Sequence, residues 1–184
     1  MTLAFDRDAS KLRIETTAKG MLAKLAHDLA IEASDWTCEA TLDGEKATLT
    51  AKVPVASLRV AGVRKHGAVD KNVLSSSDRS EIERKIREEV LTGREVVVAA
   101  SASGVPADGS RTVDAELTVE SGRAKTRVSS RVTLSVTAGA IVASGRAGVS
   151  LSALSIPPVK GPLGAFRVDD VVDVVFEARF TRAG

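Results

Sequence analysis

The sequence predicts an all-β fold in which one antiparallel sheet closes, or nearly closes, on itself. Apolar and polar residues alternate through most of the chain, and the clearest stretch covers residues 112–120, where one face carries Val113, Ala115, Leu117 and Val119. A period of two places one face of a strand against a core and the other in water. Because the pattern recurs from end to end, and because a closed sheet leaves no open edge, we expect a barrel that holds its chemistry inside.

Turn-forming residues divide this pattern into eight or nine predicted strands. Asp43-Gly44, Ser121-Gly122 and Ala138-Gly139 are turn signals between alternating segments. A short apolar helical turn is predicted at residues 20–26, and residues 55–74 are predicted to be irregular. Because no repeat or linker divides the chain, residues 1–184 are expected to form a single domain. The predicted strands cover residues 11–17, 29–33, 38–42, 47–53, 95–103, 111–120, 123–136, 140–153 and 167–180.

One amphipathic helix interrupts the strands. Asp78 is predicted to be its N-cap, because Glu81 follows at the spacing of a capping box. Gly93 lies just beyond the predicted end of the helix. The apolar stripe consists of Ile82, Ile86 and Val90. Since this stripe is narrow, we expect the helix to lie on the barrel surface or to plug one end of the barrel.

The composition is that of a soluble protein without the features of nucleic-acid binding. The chain of 184 residues is 43% hydrophobic and carries 26 basic against 24 acidic side chains, a net charge of +2. Nucleic-acid-binding proteins usually concentrate positive charge and often offer aromatic stacking platforms, whereas this chain has one Trp, four Phe and no Tyr. We therefore expect no nucleic-acid partner.

The sequence also lacks the usual signals of membrane insertion, secretion and metal binding. No apolar run approaches the ~20 residues that span a bilayer, and no basic and apolar signal segment begins the chain, so we expect a cytoplasmic location. Cys38 has no second cysteine to pair with and is predicted to be a buried structural thiol. His27 and His66 have no partners at ligand spacing. We predict no metal and no cofactor.

Four segments, taken in order and spacing, resemble a known family. They are Leu25-Ala26-His27-Asp28-Leu29 before a strand, the helix at 78–91, the segment at 117–122 before a strand ending at 132–136, and Ile156-Pro-Pro-Val-Lys-Gly-Pro-Leu-Gly-Ala-Phe166 followed by Arg-Val-Asp-Asp-Val. Together they resemble the YceI-like family, whose best-known members bind polyisoprenoids. The resemblance covers nearly the whole chain. It implies an eight-stranded antiparallel barrel, lipocalin-like in shape, with a helix against it and an amphiphile such as an isoprenoid chain inside.

Small inward side chains leave room for such a guest. The residues predicted to face inward include Ala33, Ala40, Ala47, Ala51, Ala115, Ala147 and Ala178. An apolar space favours an apolar occupant, so we expect the protein to bind or carry an isoprenoid lipid, a quinone or a fatty chain. Alternation predicts a ligand-binding wall of Ile14, Ile31, Leu49, Val97, Leu117, Leu134, Leu151, Val174 and Phe176. The predicted entrance consists of Met21, Leu25, His27, His66 and Phe166.

Two other functions remain open at this point. The pair His27-Asp28 could serve an enzyme that acts on a hydrophobic substrate in the same cavity, with His27 as acid or base. A barrel filled by its own side chains would instead indicate a protein-interaction module. The basic residues 64–66 could meet a head-group phosphate, or form an ordinary solvated loop. A homodimer is compatible with each of these functions.

Overall fold

A computed structural model describes residues 1–20, 26–161, 164 and 166–182. Strands make up 62% of the structure. The elements are β1 (Thr2–Glu15), β2 (Ala18–Lys19), β3 (Leu29–Ala33), β4 (Thr37–Asp43), β5 (Lys46–Pro54), β6 (Leu58–Lys65), β7 (Ala68–Asp70), α1 (Ser76–Lys85), β8 (Glu95–Ser103), β9 (Gly109–Ser121), β10 (Ala124–Val136), β11 (Ala140–Ser150), β12 (Arg167–Val168) and β13 (Val171–Arg182). The predicted helical turn at residues 20–26 falls largely outside the described residues.

Eight of these strands form a closed antiparallel barrel, which confirms the predicted fold class. The order around the barrel is β1, β4, β5, β8, β9, β10, β11 and β13, and β13 pairs with β1 to close it. In the closing pair, Phe5 faces Phe180 and Ile14 faces Val174, with a register shift between Asp6 and Lys11. The bulge lets β1 bend and change partners, so that its first residues pair with β4 and its last with β3.

Residues 55–74 were predicted to be irregular, but residues 58–70 within them form a hairpin. β6 pairs with β3, and β7 pairs with β6, so these three strands extend the sheet beyond the last residues of β1. His66 (φ 50°) and Gly67 (φ 83°) occupy the turn between Lys65 and Ala68. Two consecutive positive φ angles are those of a type I′ turn, which suits the twist of a hairpin. The charged residues of this segment conceal the alternation that would have predicted a strand.

The helix begins one turn before the predicted position. Ser75, and not Asp78, is the N-cap, because the backbone N–H of Asp78 donates to Ser75 Oγ at 3.1 Å and the backbone N–H of Ser75 donates to Asp78 Oδ2 at 3.0 Å. This capping box satisfies two backbone donors that the first turn leaves free. α1 continues as a π-helical segment, Ile86–Val90, so the whole helix has 15 residues.

Two side chains of α1 hold it against the edge of β6. The backbone N–H of Val60 donates to Glu83 Oε1 at 2.9 Å, and Arg79 Nη1 donates to the carbonyl oxygens of Val60 and Ala61 at 3.4 Å. Arg79 Nη2 also donates to the carbonyl oxygen of Lys71. These contacts cover a strand edge that would otherwise be open, and they position α1 across one end of the barrel.

The two ends of the barrel differ in how they are filled. At the end formed by the β4–β5, β8–β9 and β10–β11 turns, Val105, Val113 and Val136 are buried and close the interior. At the opposite end lie α1 and the segment after β11, from which Leu154 and Ile156 are buried against the barrel. We call these the closed end and the α1 end.

Candidate functional site

The barrel encloses a cavity of about 740 Å³, and all eight barrel strands contribute to its wall. Leu49, Leu117 and Val174 face inward, yet each remains partly exposed, because the surface they expose is that of the cavity. A volume in this range is typical of small-molecule sites. The interior is therefore not filled by the protein's own side chains, whereas the protein-interaction module considered above would have a filled barrel.

The structure places eight of the nine predicted wall residues on the cavity wall. These are Ile14, Ile31, Leu49, Leu117, Leu134, Leu151, Val174 and Phe176. Val97 was predicted wrongly, since the wall contains Val96 and Val98 and not Val97. Val97 pairs with Lys52 and Glu120, two outward-facing residues of the neighbouring strands. Three consecutive valines have no apolar–polar period, so the sequence alone could not assign the inward pair.

The predicted entrance is reproduced only in part. His27 and Phe166 lie on the cavity wall at the α1 end. His66 does not, because it occupies the exposed turn between β6 and β7, and this prediction was wrong. Met21 and Leu25 fall outside the described residues, so their prediction stays untested.

The wall residues that α1 and the loop after β11 supply were not predicted from the sequence. Ile82 and Ile86 of α1 face the cavity, as do Ile156 and Val159 of the loop. The apolar stripe of the helix was the available signal, and it had left open whether the helix lies outside the barrel or plugs one end. The stripe in fact forms the roof of the cavity.

Charge on the cavity wall is confined to the α1 end. Among the described residues, the charged side chains of the wall are Asp78, Glu81, Lys85 and Lys160, and His27 lies at the same end. The wall deeper in the barrel carries mainly aliphatic and aromatic groups, with the polar residues Thr41, Thr48 and Ser101 toward the closed end. Phe180 lies toward the closed end, where its ring centroid is 5.7 Å from that of Phe5, and the ring centroid of Phe5 is 4.6 Å from that of Trp36. The cavity is thus charged at one end and mostly apolar along the rest of its length.

Asp28 holds the backbone at this end of the barrel. Its Oδ1 accepts a hydrogen bond from the backbone N–H of Ala18 at 2.8 Å, and its own carbonyl oxygen accepts one from the backbone N–H of Arg64 at 2.7 Å. Both contacts tie the loop before β3 to neighbouring segments. The His27-Asp28 sequence therefore places a histidine at the mouth beside a carboxylate that already serves a structural contact.

Cys38 is a buried residue of β4 whose thiol is protonated at neutral pH. Burial, with a smaller contribution from the charge of Glu39, raises the pKa of Cys38 from 9.0 to about 12. A thiol in this state is a poor nucleophile at neutral pH.

Within the described residues, no three His, Cys, Asp or Glu side chains come together as a metal site would require. Over the same residues, no helix combines the length and the apolar character needed to cross a bilayer.

The barrel matches two solved structures over almost its whole length. The crystal structure of BcnA from Burkholderia cenocepacia superposes with a TM-score of 0.65 at 13% identity, covering 95% of this chain and 98% of that one. A polyisoprenoid binding domain from Saccharophagus degradans, described as implicated in plant cell wall breakdown, superposes with a TM-score of 0.65 at 11% identity, covering 99% and 98%. These likenesses confirm the lipocalin-like fold that the YceI-like resemblance implies. No protein-family profile and no curated protein sequence matches the chain.

Proposed function

We propose that this protein is a non-enzymatic binder or carrier of a long apolar amphiphile, whose chain lies in the barrel and whose polar end lies at the α1 end. The observation that carries the proposal is the unfilled apolar cavity of about 740 Å³. An empty apolar space in a folded protein forgoes packing contacts that a guest would restore. The guest classes that fit are an isoprenoid lipid, a quinone or a fatty chain.

Burial of the chain supplies enough free energy for useful affinity. Each buried methylene contributes about 0.8 kcal/mol, so ten of them contribute ~8 kcal/mol before the costs of association. The deep wall is built mainly from aliphatic residues such as Leu117 and Leu134, and the polar residues Thr41, Thr48 and Ser101 also contribute to it toward the closed end. Affinity should therefore follow chain length more closely than chain chemistry.

The polarity of the wall sets the direction in which an amphiphile would lie. Lys85 and Lys160 could contact an anionic or hydroxyl head group, whereas the buried valines Val105 and Val136 close the other end. A reversed guest would place its polar group in a mostly aliphatic interior with few hydrogen-bond partners and, among the described residues, no charged side chain, which is costly. The structural neighbour described as a polyisoprenoid binding domain supports the same class of guest.

Native mass spectrometry of gently purified protein, followed by solvent extraction of any released molecule, tests the proposal. We expect a reproducible excess mass that corresponds to an isoprenoid, a quinone or a fatty amphiphile. A bare chain mass that persists after incubation with a mixed lipid extract would contradict it. Turnover of the extracted molecule by the wild-type protein, abolished by His27→Ala with binding retained, would favour the enzyme alternative.

A further inference from the structure

Phe176 and Gly145 face each other across the β11–β13 pair, midway along the cavity wall. In this pair, Gly145 is the direct partner of Phe176. Val172, near the α1 end, and Phe180, at the closed end, also line the cavity and lie four residues on either side of Phe176. At ~3.4 Å per residue, the wall from residue 172 to residue 180 runs for about 27 Å along the strand.

The ring of Phe176 occupies the space that a side chain at position 145 would need. A Cβ atom on Gly145 would lie 2.9 Å from Cζ and 3.3 Å from Cε1 of Phe176, and 3.0 Å from the carbonyl oxygen of Arg131. The Arg131 carbonyl belongs to the backbone of β10, which the ladder holds in place. The ring would therefore be the group that moves.

The backbone does not explain why this residue is a glycine. Gly145 is absent from the positive-φ glycines of the described chain, so its conformation suits any residue. A glycine inside a strand weakens the strand and often marks a close approach by another group. At the mouth, the ring of Phe166 lies similarly close to the backbone of Gly161. Each of these two aromatic rings on the cavity wall therefore lies against a glycine.

We propose that the Gly145–Phe176 pair determines the length of apolar chain that the cavity accepts, an inference that rests on the proposed function. With no side chain at position 145, the ring lies against the wall, and the cavity continues past it to Leu134, Ile141 and Phe180. A ring displaced into the lumen would separate this deep part from the α1 end. Short chains would still bind between the displaced ring and the α1 end, whereas long chains would lose their contacts near the closed end.

The pair Gly145→Ala and Gly148→Ala provides a matched test. Both substitutions add one methyl group to β11, but Gly148 is exposed and faces outward opposite Asp173. Binding of geraniol and of geranylgeraniol, a prenol twice as long, is measured by displacement of a solvatochromic naphthalene dye. Each methylene excluded from the cavity should lower affinity about fourfold, so Gly145→Ala should weaken geranylgeraniol binding more than about tenfold. Geraniol binding should change less than about twofold, and Gly148→Ala should resemble the wild type with both prenols.

Further variants separate obstruction from a general loss of structure. Adding Phe176→Leu to Gly145→Ala should restore geranylgeraniol binding, because the smaller side chain clears the lumen. If Gly145→Ala does not fold, Phe176→Trp in the wild-type background should produce the same discrimination by chain length. Equal weakening of both prenols, or no change in either, would overturn the inference while the proposed function stands. Failure of the wild-type protein to bind any prenol, quinone or fatty chain would overturn both.

Discussion

Glu15 Oε2 lies 2.9 Å from Arg146 Nη2, and this contact joins β1 to β11 across the outside of the barrel. The Glu15 side chain is only 4% exposed, although it faces away from the cavity. Its carboxylate also contacts Arg13 at 2.7 Å and Arg64 at 3.2 Å, and Arg146 in turn contacts Asp173 at 2.8 Å. One buried acid thus connects β1, β6, β11 and, through Arg146, β13.

Removal of this buried charge should destabilise the protein. Glu15→Gln leaves three arginines without their shared partner, and we expect a loss of about 2–3 kcal/mol in the free energy of unfolding, since breaking a buried ion pair is costly and the arginines are partly solvated. Urea denaturation measures the change. Glu177→Gln, an exposed substitution on β13, is the control and should cost less than about 0.5 kcal/mol. Equal losses in the two variants would show that the cluster does not stabilise the fold.

The same carboxylate makes stability depend on pH in the acid range. Burial raises the pKa of Glu15, but the hydrogen bond from Arg146 and the charges of Arg64, Arg146 and Arg13 outweigh it, so the pKa is lowered from 4.5. A group with a lowered folded-state pKa contributes stability above its unfolded pKa and loses it as the pH falls through its folded value. The stability difference between wild type and Glu15→Gln should be constant well above pH 4.5, the unfolded-state pKa, and should shrink as the pH falls toward and below it. Urea denaturation of both proteins at a series of pH values measures this difference. A difference that stays unchanged throughout the acid range would contradict the mechanism.

Filling the cavity should abolish binding without unfolding the barrel. Leu117→Trp places a larger side chain in the lumen, where free space can take it, and we expect affinity for a long amphiphile to fall more than about tenfold, because several methylenes of about 0.8 kcal/mol each are excluded. Glu116→Trp, on the outer face of the same strand, should bind as the wild type does. Dye displacement measures affinity, and thermal unfolding verifies that both variants fold. Undiminished binding by Leu117→Trp would place the guest outside the barrel.

The attachment of α1 to β6 should control access to the cavity. Glu83→Ala removes the acceptor of the Val60 N–H, a hydrogen bond to a charged group that contributes about 1.5 kcal/mol or more. We expect hydrogen exchange at the Val60 amide to accelerate about tenfold and the bound amphiphile to dissociate faster. Glu89→Ala, an exposed change in the π-helical segment, is the control. Unaltered exchange and dissociation in Glu83→Ala would mean that α1 does not gate the cavity.

The sequence was sufficient for the fold because the barrel strands alternate clearly. Residues 111–120 show this best, since polar residues mark the outer face at every second position. Where polar and apolar residues do not alternate, the prediction fails. Val97 lies in a run of three valines, and the arginines of β6 led to the prediction of an irregular loop in place of a strand. The N-cap prediction failed because both Ser75 and Asp78 can cap a helix, and only the hydrogen bonds show which of them does. The wall residues of α1 depend on how the helix packs, which sequence periodicity does not encode.

The pairing of β1 with β13 also has a consequence for biosynthesis. Phe5 and Phe180 meet in the ladder that closes the barrel, so the first-made and last-made strands complete it together. Contacts so distant in sequence form slowly, because a long loop must be ordered before they contribute. A nascent chain emerging from the ribosome would carry an open sheet with its apolar face exposed until β13 appears. Over that interval the unfinished sheet would expose apolar surface to which chaperones, or an apolar guest, could bind before the barrel has closed.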